Sequence, residues 1–189
     1  MEHDPEDVLT FWLKECGPDD WYKGGDELDA TISERFRDAW DAAAAGQLNH
    51  WATSARGALA LLILTDQFSR NMHRGSGRAF ETDPLARSVA KGAIDRGHDL
   101  AIPEPERQFF YMPLEHSENL ADQERAVRLI MTRMDSPENL LHARAHREII
   151  RRFGRFPFRN EALGRTTSPR ERAFLDEGAY GAILRELQD

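Results

Sequence analysis

Polar residues with the types and spacing needed for chemistry begin immediately after the most apolar stretch of the chain. The segment DQFSRNMHRG follows the run ALALLILT, and Asp66, Gln67, Arg70, Asn71 and Arg74 recur at helical spacing. Unpaired charges on the core-facing stripe of a helix cost several kcal/mol each, so these side chains need partners. Two interpretations stay open, a buried polar network that fixes helix packing and a ligand site at the open end of a helical bundle.

A second polar group surrounds a helix break in the segment FYMPLEHSENLADQ, where Pro113 interrupts the helical pattern. Its polar members are Glu115, His116, Ser117, Glu118, Asp122 and Gln123. Neighbouring carboxylates would raise the pKa of His116, which suits proton transfer near neutral pH. The structural alternative is that Ser117 or Asn119 caps the following helix.

A third candidate is the histidine helix SPENLLHARAHREIIRRFG, in which His146 lies at the centre of an apolar stripe and His142 shares its face. A single histidine in that position is more often a hydrogen-bonded core residue than a catalyst, and both interpretations stay open. The pair has the spacing H-x-x-x-H without the glutamate of H-E-x-x-H, which is a weak metal signal. We therefore predict no metal and no cofactor.

The segment RFGRFPFRN alternates arginine with phenylalanine and contributes Arg159 and Asn160. A free loop of this composition could stack on bases and bind phosphates. The net charge of −8 argues against a nucleic-acid partner. We expect instead that the phenylalanines pack inward and that Arg155 and Arg159 point toward acidic residues of the other segments.

Combined in one site, these residue types favour binding of a small anionic molecule. The cations that would hold a carboxylate or phosphate are Arg70, Arg74 and Arg159. His146 or His116 would move a proton, with Glu115 or Asp66 orienting the ring. The remaining predicted ligand-binding residues are Gln67, Asn71, Ser117, Glu118, Gln123 and Asn160. Hydrolysis and proton abstraction fit these side chains equally well, so whether the protein is an enzyme stays open.

The elements that must position these residues are predicted to be helices. Asp4 and Pro5 begin one that stops at Gly17, Ser136 begins the histidine helix, and Gly154 ends it. Strand signals, alternating β-branched residues closed by an Asn-Gly or Asp-Gly turn, are missing from the sequence. Short loops make neighbouring helices antiparallel, so we predict an all-α fold of helical hairpins.

Length and composition indicate a single domain over residues 1–189. One cysteine, Cys16, cannot form an internal disulfide, which favours a reducing compartment. The N-terminal segment is acidic where a signal peptide would be basic, and no apolar run approaches the roughly 18 residues of a membrane helix. We therefore expect a cytoplasmic protein that does not insert into a membrane.

Motifs spread along nearly the whole chain resemble one known family. In order they are FW at 11–12, LALLILTDQFSRNMHRG, AFETDPLA, FFYMPLEHSENLADQ and AHREIIRRFGRFPFRN. This combination closely resembles the bacterial domain-of-unknown-function family 924. The resemblance implies a tetratricopeptide-like superhelix of antiparallel helix pairs, and the family's recurring polar residues coincide with the predicted site. One departure is Phe158, which stands where the family usually has a histidine.

The family has no assigned activity, so the resemblance adds a fold and supplies no reaction. The sequence thus predicts a cytoplasmic protein with an inward-facing polar site for a small anionic metabolite, which it binds and could hydrolyse or deprotonate. The alternative is a tetratricopeptide-like module that binds a protein or peptide without catalysis, an inference from fold analogy alone. Neither the ligand nor the oligomeric state follows from the sequence.

Overall fold

The computed structural model describes residues 3–188, and helices are its regular elements. That described part contains no strand, which confirms the all-α prediction. The finer prediction, a tetratricopeptide-like superhelix, stays a prediction. No helix between residues 3 and 188 combines the length and the apolarity needed to cross a membrane.

The α-helices define the frame to which the polar residues are attached. In chain order they are α1 Pro5–Thr10, α2 Pro18–Lys23, α3 Asp26–Ala44, α4 Ala55–Leu62, α5 Ser69–Met72, α6 Asp83–Asp95, α7 Met112–Glu115, α8 Leu120–Arg133, α9 Pro137–Phe153, α10 Pro169–Asp176 and α11 Ala179–Gln188. Two π-helical turns, Phe11–Glu15 and Ile63–Phe68, continue α1 and α4. Short 3-10 turns are Asn49–Thr53, Gly77–Phe80, Asp99–Ala101, Glu106–Phe110 and Pro157–Arg159.

Contacts between Cα atoms divide the chain into two compact units, Met1–Pro113 and Leu114–Asp189. The first contains α1 to α6, and the second contains α8 to α11. The prediction of a single domain over residues 1–189 stays a prediction.

The first unit is built around α4, whose residues 57–62 are buried on every side. Helices α1 and α6 pack against α4, while α3 packs against the π-helical turn that follows it. The sequence predicts one helix through this region, but the backbone widens at the turn Ile63–Phe68. There the Thr65 hydroxyl donates to the Leu61 carbonyl at 2.6 Å, a side-chain bond that competes with the backbone ladder. Asp66 and Gln67 therefore lie on a π turn, a feature frequent at functional sites.

The second unit is built around α9, which packs against α8 on one side and α11 on another. Helix α9 has the predicted ends, because the Ser136 hydroxyl accepts from the Asn139 amide and Gly154 adopts a left-handed φ of 70°. The side chains buried in its core are Ala145, Ile149, Ile150, Phe156, Phe174 and Ile183. The same helix carries His142 and His146.

Candidate functional site

In the first unit, Arg70 is held between two buried carboxylates. Its Nη1 lies 3.3 Å from Asp66 Oδ1, a pairing that the spacing of four residues on a helix allows. Nη1 and Nη2 also donate to the two oxygens of Asp83 at 3.1 and 3.2 Å. The two-pronged face of the guanidinium is thus occupied by Asp83, at the start of α6.

Asp29 on α3 is the partner of two further residues of the polar stripe. Asn71 Nδ2 donates to it at 2.7 Å, and Arg74 donates from Nε at 2.6 Å and from Nη2 at 3.0 Å. Burial alone would raise the pKa of Asp29, but the bonds from Arg74 and Asn71 outweigh it and hold the pKa below its usual value. Gln67 donates to Asp66 Oδ2 at 2.6 Å.

These contacts form a polar network inside the first unit, the first of the two interpretations that the stripe allowed. An anion approaching Arg70 or Arg74 would compete with a carboxylate that is already bound. The ligand-binding role predicted for this stripe stays a prediction. The sequence missed Asp29 and Asp83 because each lies on a different helix, and no local spacing connects them to the stripe.

In the second unit, hydrogen bonds from α8 fix the backbone that carries Glu115 and His116. Gln123 Nε2 donates to the carbonyls of Glu115 and Ser117 at 2.5 and 2.7 Å. The Ser117 hydroxyl donates to Asp122 Oδ2 at 2.8 Å. The N-cap of α8 is Asn119, as the structural alternative for this segment expected.

Glu118 ties this segment to the aromatic turn at Phe156. Both of its oxygens accept from Arg165, at 2.7 and 2.9 Å, and Oε1 also accepts from the Phe156 amide at 2.8 Å. Burial raises the pKa of Glu118, and these bonds overcome that effect, so its pKa lies below the ordinary value. The observed contacts of Glu118 therefore hold the fold of the second unit in place.

The environment of His146 strongly perturbs its titration. Its side chain is largely buried, with 19% of its surface exposed. Nδ1 lies 2.9 Å from the His142 carbonyl and 3.7 Å from Glu115 Oε2. A carbonyl can only accept, so Nδ1 carries the proton, and in the neutral ring the lone pair is on Nε2.

Burial lowers the pKa of His146 to about 3, with further lowering by the charges of His116 and Arg159. The hydrogen bond to the His142 carbonyl acts in the opposite direction and is outweighed. The imidazole is therefore neutral at pH 7. At neutral pH it accepts hydrogen bonds readily, but in the unliganded protein it is a weak base.

Several predicted residues meet around this ring. The centroid of His116 lies 5.9 Å from that of His146, and the Phe156 ring meets the His146 ring at 5.7 Å with nearly perpendicular planes. Arg159 lies over the Phe156 ring at 4.4 Å and donates from Nη1 to the His116 carbonyl at 3.0 Å. We call Glu115, His116, His146 and Arg159 the His146 cluster.

Two neighbours of the cluster were not among the predicted site residues. His142 Nδ1 lies 2.5 Å from the Tyr180 hydroxyl, and the Tyr180 ring centroid lies 4.9 Å from that of His146. The spacing of four residues indicated His142 only as a weak candidate for a metal ligand. Nothing local to Tyr180 could have indicated it, because it comes from α11.

Two other predicted residues have different surroundings. Asn160 is buried and donates from Nδ2 to the Thr167 hydroxyl at 3.2 Å. Asp66 belongs to the first unit, whereas Glu115 and His146 belong to the second. The predicted convergence of these three residues stays a prediction.

Two arginines near Phe156 are paired with carboxylates of the second unit, and the prediction of no nucleic-acid partner stays a prediction. Arg152 pairs with Glu148 at 2.8 Å and with Glu186 at 2.7 Å, and Arg155 pairs with Glu171 at 2.6 Å. Arg159 is buried.

Phe156 packs inward as expected, but Phe158 is 43% exposed.

The histidine and carboxylate side chains were residue types in the sequence able to bind a metal ion. In the part of the chain between His3 and Gln188, no three or more His, Cys, Asp and Glu side chains are arranged to hold a metal ion.

Comparison with known proteins gives a family and a related fold. Residues 8–179 match the family model described as "Bacterial protein of unknown function (DUF924)". A solved structure of a protein of unknown function from Agrobacterium tumefaciens is 46% identical and has a TM-score of 0.88, over 92% of this chain and 97% of that chain. No curated protein matches. The resemblance inferred from the motifs is thereby confirmed, and neither match assigns an activity.

Proposed function

The chain belongs to the bacterial family of unknown function DUF924, and we propose that it binds a small anionic molecule at the His146 cluster. In this proposal His146 Nε2 accepts a hydrogen bond or a proton from the bound molecule. The observation that carries the proposal is the state of the His146 ring, which is neutral, largely buried and fixed through Nδ1.

The orientation of the ring is the first support. The Nδ1 proton is directed at the His142 carbonyl and toward Glu115, so the opposite nitrogen keeps its lone pair. A hydrogen-bonded core histidine would have the same bond, so what this orientation contributes to the proposal is an Nε2 that keeps its lone pair. Fixing one tautomer in advance is what a hydrogen-bond acceptor for a ligand requires.

Local charge is the second support and indicates an anion. His116 and Arg159 both lower the pKa of His146, so each adds positive potential at the ring, while the Glu115 carboxylate lies 3.7 Å from the other nitrogen, Nδ1. A positive potential in a largely buried position attracts a carboxylate or phosphate and strengthens its binding. The same charges would stabilise an anion formed when a bound O–H or N–H group gives its proton to Nε2.

Binding and protonation are therefore coupled. A bound anion supplies negative charge beside His146 and raises its pKa, so the ring becomes a stronger base in the complex. In the transfer step the ligand loses a proton to Nε2 and becomes more negative by one charge, while the imidazole becomes an imidazolium held by Glu115. Proton abstraction is thus the chemistry that this arrangement supports best.

The test is calorimetric titration of the full chain at pH 7 with inorganic phosphate and with succinate. We expect at least one of these probes to bind, and Arg159→Gln to weaken that binding by about tenfold or more, the loss of roughly 1.4 kcal/mol from one charge-assisted contact. The matched control is Arg151→Gln, which removes the same charge from an exposed position on α9.

The control should change affinity by less than about twofold, because exposed charges are screened by salt. Circular dichroism of each variant checks that the helices are retained. A wild-type chain that binds neither probe, or an equal loss of affinity in both variants, would count against the proposed site.

A further inference from the structure

Helix α11 is attached to the second unit through an unusual turn. Gly178 and Ala179 both have positive φ, 106° and 49°. Ala179 is the single non-glycine residue with positive φ between residues 3 and 188, a conformation that side chains rarely adopt. Such strain persists only where the surrounding structure holds it, and here Ile183 is buried in the core beneath α11.

The turn directs Tyr180 onto both histidines of α9. The Tyr180 ring is stacked on His142 with an interplanar angle of 10° and a centroid distance of 5.9 Å. Its hydroxyl lies 2.5 Å from His142 Nδ1, and its ring also covers His146 at 4.9 Å. One side chain thus contacts the proposed site and is anchored beside it.

We infer that Tyr180 is a positioning residue of the His146 cluster. Its ring shields the His146 imidazole from water, and its hydroxyl, bonded to His142, holds the tyrosine ring in place. The inference rests on the proposed function, since it assigns to Tyr180 the task of keeping His146 in its binding state. Tyr180 does not take part in proton transfer itself.

The electrostatic reason follows from what surrounds His146. Glu115 and His116 face it from the segment before α8, His142 from its own helix, Arg159 from the turn Pro157–Arg159, and Tyr180 from α11. Burial is the largest cause of the lowered His146 pKa, ahead of all of these charges. A side chain that supplies burial without charge therefore controls the protonation state of the ring.

Tyr180 itself stays protonated. Burial raises the pKa of Tyr180, with a smaller contribution from Glu115, so the phenol can donate to His142 Nδ1. This bond ties α11 to α9 independently of the apolar contacts of Ile183.

The test is a histidine titration of the full chain by nuclear magnetic resonance, comparing wild type with Tyr180→Phe and Tyr180→Ala. We expect Tyr180→Ala to raise the His146 pKa by about one unit or more toward the usual 6.5, because water reaches the ring. Tyr180→Phe keeps the aromatic ring and should raise the His146 pKa far less. Ile183→Val is the matched control, since it loosens α11 while leaving Tyr180 in place.

The control should lower the melting temperature and leave the His146 pKa where it is. An unchanged His146 pKa in Tyr180→Ala, or an equal rise in the Ile183→Val control, overturns the inference. If Tyr180→Ala does not fold, Tyr180→Val is judged by the same criterion. Phosphate and succinate binding is measured on the same samples. If the wild-type chain binds neither phosphate nor succinate, the proposed function is overturned. The comparison of His146 pKa values would still decide the role of Tyr180.

Discussion

At the scale of the residue, the two ring nitrogens of His146 have different tasks. Nδ1 is committed to the His142 carbonyl, and Nε2 keeps its lone pair, on which the proposed ligand would act. The ring has the unusual property of staying neutral below the pH at which an ordinary histidine becomes charged. That property has a thermodynamic consequence that can be measured without a ligand.

We expect the wild-type chain to lose about 2 kcal/mol of stability between pH 7 and pH 5 because of His146. Above pH 6.5 the His146 ring is neutral in both the folded and the unfolded chain, so its titration does not change the free energy of unfolding. Below it the unfolded chain gains a proton that the folded ring, with a pKa of about 3, does not take up. Unfolding is therefore favoured as the pH falls through this window.

The measurement is urea denaturation at pH 7 and pH 5 of wild type and His146→Asn, which keeps an N–H donor for the His142 carbonyl. The variant should lose about 2 kcal/mol less than wild type over the same interval. Equal losses in the two proteins would show that His146 is not held neutral.

At the scale of the element, the position of α4 depends on a close backbone approach. The Ser54 hydroxyl accepts from the Gly57 amide at 3.1 Å and caps the helix. A Cβ at Gly57 would lie 2.2 Å from the Trp51 carbonyl oxygen, a distance at which backbone must move. The glycine is thus needed for space, since its φ is not positive.

We expect Gly57→Ala to destabilise the protein by about 2 kcal/mol or more, because the clash is with backbone and cannot be relieved by a rotamer change. Gly181→Ala on α11 is the contrasting variant. Its Cβ would meet Arg185 Nη1 at an ordinary 3.6 Å, so the gain in helix propensity should stabilise by about 0.5–1 kcal/mol. Thermal and urea denaturation of both variants check the two signs, and a stable Gly57→Ala chain would contradict the packing described for α4.

At the scale of the whole molecule, the helical class was predictable because caps and stops are local. Ser136 and Gly154 mark the ends of α9 within a few residues of sequence. The partners of the polar side chains were not predictable, because a carboxylate such as Asp29 reaches Arg74 only through tertiary packing. The same holds for Tyr180, which meets His146 across 34 positions of the chain. The division at Pro113 and Leu114 likewise has no compositional signal.

The polar stripe and the histidine helix both show a limit of prediction from sequence spacing. Both patterns allowed a structural and a functional interpretation, and spacing could not choose between them. In the stripe, the observed partners of Arg70 and Arg74 are carboxylates of the first unit itself. In the histidine helix, Nδ1 of His146 is bonded to the His142 carbonyl, and the role proposed for Nε2 is still to be tested. Deciding between such interpretations requires knowing which atoms each side chain touches.

The most direct test of the central claim is the nitrogen-15 spectrum of the histidine rings in the wild-type chain, recorded without ligand from pH 4 to pH 8. We expect the His146 ring to remain neutral throughout, with the proton on Nδ1 and an unprotonated Nε2. A His146 ring that titrates near 6.5, or that carries its neutral-state proton on Nε2, would contradict the account.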